Sequence, residues 1–429
     1  MLIIGAGPGG YETAVEAVKR GMEVTLITEG PLGGTCLNEG CIPTKTFCHY
    51  AELIEQNIKA GLDCKPAFAA TAERKQAVVE QLRRGVEMML KGVQVVQGRA
   101  QFKDAKTVVC NGQEFTADKI IIASGSVSAS LPVPGAESCI TSKEILELTE
   151  VPQSLCVIGG GVIGLEFASI FRSFGSEVTV LEFCPNILPR FDSDLAKRLK
   201  QSLSKRGINI EVQAQVTRID GDTVTYIKKD KEYTVQAEKV LMAVGRRPNT
   251  EGMNMEAAGI DYTRKGITVN ERFETSVPGI YAVGDVTGGI MLAHAATYQG
   301  LRALNFICGL TDNIRFDLIP AAVFTMPEVA TVGLTEEQCK EQELDVRCLK
   351  SFYRANGKAV SMDETDGYCK VIVGADGAIL GAHIMGAHAS DLIHEITTAI
   401  NLGATLDQLQ SVIHAHPTLS EVLQSAIHQ

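Results

Sequence analysis

The pattern of apolar and polar residues predicts a strand, a tight turn and a helix at the start of the chain. An apolar run at residues 2–4 precedes an amphipathic helical pattern to about Arg20, and a second strand spans residues 23–28. Between the first strand and the helix, glycines recur as Gly-x-Gly-x-x-Gly, at Gly5, Gly7 and Gly10. Glu29 closes the second strand. This order predicts a βαβ unit that binds a dinucleotide, with its pyrophosphate at the helix N-terminus and a ribose at the carboxylate.

The same order recurs further along the chain. Apolar strands at residues 155–158 and 177–181 enclose a helical pattern to about Phe174, and Glu182 closes the second strand. The turn again carries three glycines, Gly159, Gly161 and Gly164. A lone glycine motif is a weak signal, but two complete units predict two dinucleotide sites. Glu182 would repel the 2′-phosphate of NADP, so the second unit favours NAD. A solvated charge at a strand end is the alternative for Glu29 and Glu182.

Between and after these units the pattern is mixed. An amphipathic helix is predicted between residues 61 and 92, and short strands at 94–122 and 208–243. A buried strand from Ile280 ends at Gly284 and Asp285, where a carboxylate suits a ribityl or ribose hydroxyl; a helix N-cap is the alternative. From about Asp317 strands and helices alternate without glycine turns, which indicates a separate C-terminal domain. Its predicted strands lie around 329, at 370–373 and at 380–382, with a helix around 390–402.

Length, composition and charge exclude several classes of protein. The 429 residues predict three or four domains, and 45% hydrophobic with 21% charged residues is typical of a globular protein. A net charge of −11 argues against a nucleic-acid surface. The chain has no run of 18 uncharged apolar residues, so no membrane span is predicted. No basic segment precedes the apolar start, which predicts the cytoplasm, or the mitochondrial matrix for a processed eukaryotic protein.

Two of the 12 cysteines, Cys36 and Cys41, lie five positions apart, beside Gly40 and Pro43. Because proline suits the first turn of a helix, the pair can close a small disulfide at a helix start. There the helix dipole lowers a thiol pKa, and a tight loop favours cycling between disulfide and dithiol. Buried structural cysteines are the alternative. No metal site is predicted, and most other cysteines are expected to be free packing residues: Cys64, Cys110, Cys139, Cys156, Cys308, Cys339, Cys348 and Cys369.

Near the C-terminus, His416 and Glu421 could form a pair that moves a proton. Pro417 can open a helix, which would place Glu421 about one turn from His416. A carboxylate there would hold the ring tautomer and favour the imidazolium, as in a base that deprotonates a thiol. A capping or core histidine is the alternative. His414 has no carboxylate at a matching offset, and we interpret it as structural.

These segments together resemble the pyridine nucleotide-disulfide oxidoreductases, most closely the dihydrolipoamide dehydrogenases, over essentially the whole chain. The matching segments are the two glycine turns, residues 36–41, 243–249, 284–285, 291–294 and 414–421. The resemblance implies an α/β fold with two Rossmann-like (βαβ) dinucleotide-binding domains, a central domain and a C-terminal α+β interface domain. The implied boundaries are 1–148 for the FAD-binding domain with the redox disulfide, 149–246 for the NAD-binding domain, 247–314 for the central domain completing the FAD site, and 315–429 for the interface domain.

The resemblance also implies residue roles. Cys36 would exchange with a lipoyl thiol, and Cys41 would be the charge-transfer thiol against the flavin of FAD. His416 and Glu421 would serve the disulfide of the other subunit in a homodimer. Lys45 would lie near the flavin N5, with Glu166 as its partner. The other implied cofactor-binding residues, for FAD and NAD, are Gly5, Gly7, Gly10, Glu29, Thr35, Ser124, Gly125, Gly159, Gly161, Gly164, Glu182, Gly245, Gly284, Asp285, Leu292 and Ala293.

The implied activity is oxidation of protein-bound dihydrolipoamide to lipoamide, with electrons passing through the cysteine pair and FAD to NAD⁺. The implied partner is the lipoyl domain of a 2-oxoacid dehydrogenase acyltransferase or a glycine-cleavage carrier protein. The chain departs from the family pattern in having only four residues before Gly5, and in Ala295, where the family often has lysine.

Four other functions stay open. Glutathione and trypanothione reductases use NADPH, which Glu182 disfavours. Mercuric reductase would need a vicinal cysteine pair at the C-terminus, and residues 425–429 contain none. A soluble transhydrogenase lacks the redox disulfide. A scaffold subunit of a multienzyme complex would contain no bound flavin.

Overall fold

The N-terminal part of the chain is built around a parallel sheet. The computed structural model describes residues 1–62 and 67–429, so Cys64 lies outside the described residues. Strand β1 is central, pairing in parallel with β2 and β7. All three of its apolar side chains are buried, because helices pack on one face of the sheet and a small antiparallel sheet, residues 101–116, packs on the other. In chain order the elements are β1 (Leu2–Ile4), α1 (Pro8–Lys19), β2 (Thr25–Thr28), α2 (Gly34–Glu39), α3 (Cys41–Lys59), α4 (Phe68–Met89), β3 (Gln94–Gln97), β4 (Gln101–Phe102), β5 (Thr107–Cys110), β6 (Gln113–Thr116), β7 (Ile120–Ile122) and β8 (Ser126–Ser128).

The second βαβ unit builds a four-stranded parallel sheet in the order β11-β10-β9-β15. An antiparallel sheet of β12, β13 and β14 is inserted before its last strand, and β16 pairs with β8 of the first unit, which joins the two. The elements are β9 (Ser154–Ile158), α5 (Val162–Phe174), β10 (Glu177–Glu182), α6 (Ser193–Lys205), β11 (Ile208–Val212), β12 (Gln215–Asp220), β13 (Thr223–Lys228), β14 (Lys231–Gln236), β15 (Lys239–Met242) and β16 (Arg246–Pro248).

The segment after β16 returns to the first unit. It contains β17 (Tyr262–Thr263), β18 (Gly266–Ile267), β19 (Ile280–Ala282) and α7 (Ala293–Ile307). Strand β19 pairs in parallel with β7, which completes the sheet β19-β7-β1-β2-β3. Helix α7 crosses α1 closely, since a Cβ on Gly300 would lie 1.9 Å from Thr13 Oγ1. The segment predicted as a central domain therefore supplies an outer strand and a covering helix to the N-terminal sheet.

The C-terminal part has its own core around a five-stranded antiparallel sheet in the order β20-β21-β24-β23-β22. Buried side chains of α10 and α12 pack into that core. Its elements are β20 (Ala321–Val323), β21 (Val329–Gly333), α8 (Glu336–Glu341), β22 (Val346–Phe352), α9 (Gly357–Ser361), β23 (Tyr368–Gly374), β24 (Ile379–Met385), α10 (Ala389–Asn401), α11 (Leu406–Gln410) and α12 (Glu421–Ile427). The predicted α/β fold class, with two nucleotide-binding βαβ units and a C-terminal α+β part, is confirmed.

A buried ion pair connects this C-terminal part to the second βαβ unit. The Nζ of Lys370, on β23, lies 2.8 Å from both carboxylate oxygens of Asp192, which caps α6, and 2.9 Å from Glu336 Oε2. Both Lys370 and Asp192 are fully buried.

Within the described part of the chain, no helix combines the length and the apolar character needed to cross a membrane.

Candidate active site

A cavity of about 2950 Å³ connects the two glycine turns with the cysteine pair. Its lining contains every cofactor-binding residue predicted from the sequence except Gly10 and Gly164, together with Cys36 and Cys41. Among the described residues that line it, neither His416 nor Glu421 appears. The fold thus brings both glycine turns and both thiols to one cavity, whereas His416, the predicted base, lies elsewhere on the chain.

The first glycine turn has the shape that a dinucleotide requires. A Cβ on Gly5, whose φ is +104°, would lie 2.3 Å from Ala123 O, and a Cβ on Gly10 would lie 1.9 Å from Gly5 O. A Cβ on Gly7 would meet no atom within 4 Å. Two glycines therefore allow the turn and the close packing of α1, whereas Gly7 leaves the backbone open to the cavity for a pyrophosphate.

The second turn repeats this geometry. A Cβ on Gly159, at φ +111°, would lie 2.4 Å from Ala243 O, and one on Gly164 would lie 2.0 Å from Gly159 O. Gly161 again faces open space. The residues present in both turns therefore fit a bound dinucleotide.

The two strand-end carboxylates differ in their surroundings. Glu29 is exposed on the wall of the cavity. The side chain of Glu182 is buried and accepts the backbone N–H of Gly160 at 2.5 Å and of Cys184 at 2.6 Å. These two bonds fix the Glu182 carboxylate beside the turn, and each oxygen keeps a lone pair for a ribose hydroxyl.

The cysteine pair lies where two helices meet: Cys36 is in α2 and Cys41 is the first residue of α3. The structure holds both as thiols, not as the disulfide that the sequence allows. The hydrogen bond from Cys36, with the nearby charge of Lys45, lowers the pKa of the Cys41 thiol to about 7. The same hydrogen bond and burial raise the pKa of Cys36. A lowered thiol pKa is thus found at Cys41, where its main cause is the hydrogen bond from Cys36 and not the helix dipole that the sequence suggested, whereas the pKa of Cys36, which lies inside the short helix, is raised.

Lys45 and Glu166 form an ion pair across the two units. The Nζ of Lys45, one turn after Cys41 on α3, lies 2.8 Å from both oxygens of Glu166 on α5, whose side chain is buried. Although burial alone would lower the pKa of Lys45, the Glu166 carboxylate raises it. Phe324 N–H donates to Glu166 at 3.0 Å, and the Lys45 Nζ lies 4.6 Å from the centre of the Phe324 ring. These contacts hold a positive charge beside the thiols.

Asp285 is part of a polar chain that sequence reasoning missed. Its Oδ2 accepts the Ser126 hydroxyl at 2.5 Å, and Arg246 donates to Ser126 Oγ and to Ser126 O, each at 2.7 Å. Asp285 makes no capping bond in its short helix, Gly284–Thr287, so the alternative interpretation as an N-cap is not supported. Pairing of β8 with β16 places Arg246 opposite Ser128 and Pro248 opposite Ser126, so Ser126 and Arg246 are diagonal neighbours, and no local spacing signals that pairing.

His416 and Glu421 lie close together on the surface. His416 Nδ1 is 2.9 Å from Glu421 Oε1, and the Thr418 N–H donates to Glu421 Oε2 at 2.8 Å. These bonds lower the pKa of Glu421, the Thr418 N–H first and His416 next. The His416 side chain is 78% exposed. The expectation that Pro417 opens a helix is wrong: α12 begins at Glu421, because residues 416–420 form a turn that the Glu421 carboxylate closes.

His414 also has a carboxylate partner. Its buried ring places Nε2 2.8 Å from Glu395 Oε1 on α10. The sequence offers no carboxylate at a matching offset near His414, and the fold supplies one from Glu395, which precedes His414 by 19 residues.

Comparisons with known proteins identify the family. Residues 1–300 match the model described as "Pyridine nucleotide-disulphide oxidoreductase", and residues 319–427 match the dimerisation domain of the same family. The chain belongs to the pyridine nucleotide-disulphide oxidoreductases. The resemblance inferred from the motifs is thereby confirmed, and the C-terminal α+β part is the dimerisation domain of the family.

Relatives of this oxidoreductase cover almost the whole chain. It is 42% identical to the dihydrolipoyl dehydrogenase of Geobacillus stearothermophilus, over 99% of this chain and 94% of the relative. It is 41% identical to one from Bacillus subtilis strain 168, over 99% and 95%. It is 38% identical to the mitochondrial dihydrolipoyl dehydrogenase 2 of Arabidopsis thaliana, over 99% and 89%.

Solved structures of family members agree in fold. The HOCl-induced flavoprotein disulfide reductase RclA from Escherichia coli matches with a TM-score of 0.90 and 32% identity, covering 100% of this chain and 99% of that one. LpdA from Mycobacterium tuberculosis matches with a TM-score of 0.90 and 29% identity, over 100% and 98%. The chain is therefore an FAD- and NAD-dependent disulfide oxidoreductase of this family, and its dimerisation domain makes it a homodimer.

Proposed function

We propose that the protein oxidises protein-bound dihydrolipoamide to lipoamide, with Cys36 as the thiol that exchanges with substrate and NAD⁺ as the final acceptor. The observation that carries this proposal is the single cavity that joins both glycine turns to the cysteine pair, beside the Lys45–Glu166 ion pair. Cys41 has a pKa lowered to about 7, while the pKa of Cys36 is raised. The Cys41 sulfur thus suits a leaving group that remains as a thiolate, and the Cys36 sulfur suits exchange with the substrate thiol.

The proton of the substrate thiol goes to His416. Glu421 accepts from His416 Nδ1 at 2.9 Å, which leaves Nε2 free to take a proton and stabilises the imidazolium that results. Because the lining of the cavity does not include His416, and its side chain is exposed, we infer that this histidine serves the cysteine pair of the partner subunit.

The sulfur chemistry then proceeds in two exchanges. The substrate thiolate attacks Cys36 of the oxidised pair, forming a mixed disulfide and releasing Cys41 as a thiolate. The second substrate thiol attacks the mixed disulfide, which forms the lipoyl disulfide and releases Cys36. The raised pKa of Cys36 favours taking the first proton from the imidazolium, and the neutral imidazole that results accepts the proton of the second thiol. Lys45 stabilises the Cys41 thiolate by its charge. The first glycine turn, with Glu29 and Asp285, would hold FAD, which would supply the two-electron acceptor for this dithiol and the hydride donor for NAD⁺.

The lipoyl group would arrive on a carrier domain. The relatives named dihydrolipoyl dehydrogenase support a lipoyl domain of a 2-oxoacid dehydrogenase acyltransferase, or a glycine-cleavage carrier protein, as the partner. Those relatives include bacterial proteins and a mitochondrial one, which supports the cytoplasm of a bacterium or the mitochondrial matrix as the location.

The test is a steady-state assay of flavin-loaded protein with dihydrolipoamide against NAD⁺ and NADP⁺, beside glutathione disulfide with NADPH. Cys36→Ser should abolish dihydrolipoamide oxidation and keep the flavin, and His416→Gln should slow it about a hundredfold. Cys348→Ser, which removes a thiol outside the cavity, is the control and should keep full activity. Full activity of Cys36→Ser, or a preference for glutathione disulfide with NADPH, would contradict the proposal.

A further inference from the structure

A second cleft lies where α6 of the NAD-binding unit meets β22 and β23 of the dimerisation domain. It has a volume of about 380 Å³ and shares no lining residue with the large cavity. One wall carries Arg198 and Lys205 of α6, and the other carries Arg354, which follows β22. The reaction proposed above uses none of these three cations.

The charge of this cleft is opposite to that of the whole chain. Three cations line it against one lining carboxylate, Asp366, and Arg198 also pairs with Asp194 at 3.1 Å, which leaves a positive excess, whereas the protein has a net charge of −11. Asp366 accepts the Ser202 hydroxyl at 2.6 Å and forms no ion pair with the three cations in the described structure. The cleft is therefore a local positive region, with walls that include Phe352 and Tyr368, and such a region concentrates anions.

The donors in the cleft are largely free. The Cζ of Arg198 lies 4.6 Å from the centre of the Tyr368 ring, and the Cζ of Arg354 lies 4.9 Å from that of Phe352. Ring contacts of this kind restrain a guanidinium and leave its N–H edges available. Arg198 uses only Nε, for Asp194 at 3.1 Å, and among the described residues Lys205 and Arg354 form no ion pair.

We propose that this cleft binds a small phosphorylated anion. Planar guanidinium groups match phosphate oxygens in pairs, and an ammonium adds a third cation for a group of more than one negative charge. The volume suits a small molecule. Because the cations come from α6 and from the segment after β22, the bound anion bridges the NAD-binding unit and the dimerisation domain.

Titration calorimetry with inorganic pyrophosphate tests this proposal on the flavin-loaded dimer. Saturating NAD⁺ is present throughout, so that the glycine turn of the second unit is occupied. The cleft variant is Lys205→Ala with Arg354→Ala. The matched control is Lys197→Ala with Arg347→Ala, which removes the same charge from exposed positions on α6 and β22, outside the cleft.

Wild type and control should bind one pyrophosphate per chain, and the cleft variant should bind about tenfold more weakly or worse. Retained flavin absorbance and an unchanged thermal midpoint would show that the variant is folded. Absence of saturable binding in wild type would overturn the proposal, as would equal weakening in the control or undiminished binding in the cleft variant. Equal affinity for citrate would overturn the assignment to phosphate. None of these measurements depends on dihydrolipoamide turnover, so failure of this proposal can be told apart from failure of the proposed function.

Discussion

At the scale of single residues, the decisive contact is the hydrogen bond from Cys36 to Cys41. It lowers the pKa of Cys41 to about 7, so the Cys41 thiolate predominates above that pH and is lost as the pH falls through it. Removing the donor with Cys36→Ala should move this midpoint to higher pH. The measurement is the pH dependence of Cys41 alkylation in reduced protein, followed by mass spectrometry. The control Cys348→Ala should leave the midpoint of Cys41 alkylation unchanged. An unshifted midpoint in Cys36→Ala would mean that the hydrogen bond from Cys36 does not cause the low pKa of Cys41.

The residues that sequence reasoning found are those with local signals. The cysteine pair, the strand-end carboxylates and the neighbouring His416 and Glu421 could be read from short spacings. The Lys45–Glu166 pair required the family resemblance, because its members are 121 positions apart. Arg246 and Glu395 were missed, since strand pairing and helix packing bring them to Ser126 and His414, and neither contact leaves a pattern in the nearby sequence.

At the scale of elements, the last glycine of each turn controls how closely a helix packs on its strand. A Cβ on Gly10 would lie 1.9 Å from Gly5 O, and one on Gly164 would lie 2.0 Å from Gly159 O, so alanine must displace α1 or α5. Gly10→Ala should lose flavin absorbance. Gly164→Ala should keep the flavin and raise the KM for NAD⁺. Loss of flavin from Gly164→Ala instead would mean that the second unit binds FAD and the first binds NAD⁺.

Elements with strong periodicity could be predicted, and those set by tertiary contacts could not. Both βαβ units follow from apolar strands, glycine turns and amphipathic helices in a fixed order. The start of α12 could not be predicted, because the Thr418 N–H bonds to the Glu421 carboxylate and keeps residues 416–420 outside the helix. The pairing of β19 with the first sheet could not be predicted from the nearby sequence either, because its partner β7 lies more than 150 residues earlier.

At the scale of the whole molecule, the buried Lys370–Asp192 pair fixes the second βαβ unit to the dimerisation domain. Lys370→Ala would leave Asp192 charged and buried without its partner, which costs about 3–5 kcal/mol. The denaturant midpoint of the flavin-loaded protein should fall accordingly. Lys103→Ala, which breaks an exposed pair with Glu114, should leave the midpoint nearly unchanged. Equal midpoints for both variants would mean that the buried pair does not hold the two parts together.

The arrangement of the active sites in the dimer can be tested with mixed dimers, because a two-fold axis gives two identical sites. A heterodimer of one Cys36→Ser chain and one His416→Gln chain can be isolated with two different affinity tags. If His416 serves the partner's cysteine pair, one site combines both substitutions and the other has neither, so activity should be about half that of wild type. If His416 serves its own chain, both sites are damaged: the Cys36→Ser site is inactive and the other is slowed about a hundredfold, so activity should fall to about one two-hundredth of wild type. A heterodimer of wild type with Cys36→Ser retains one intact site under either arrangement, and it calibrates the half-active value. The exposed His416 ring and its absence from the lining of its own chain's cavity favour the first outcome.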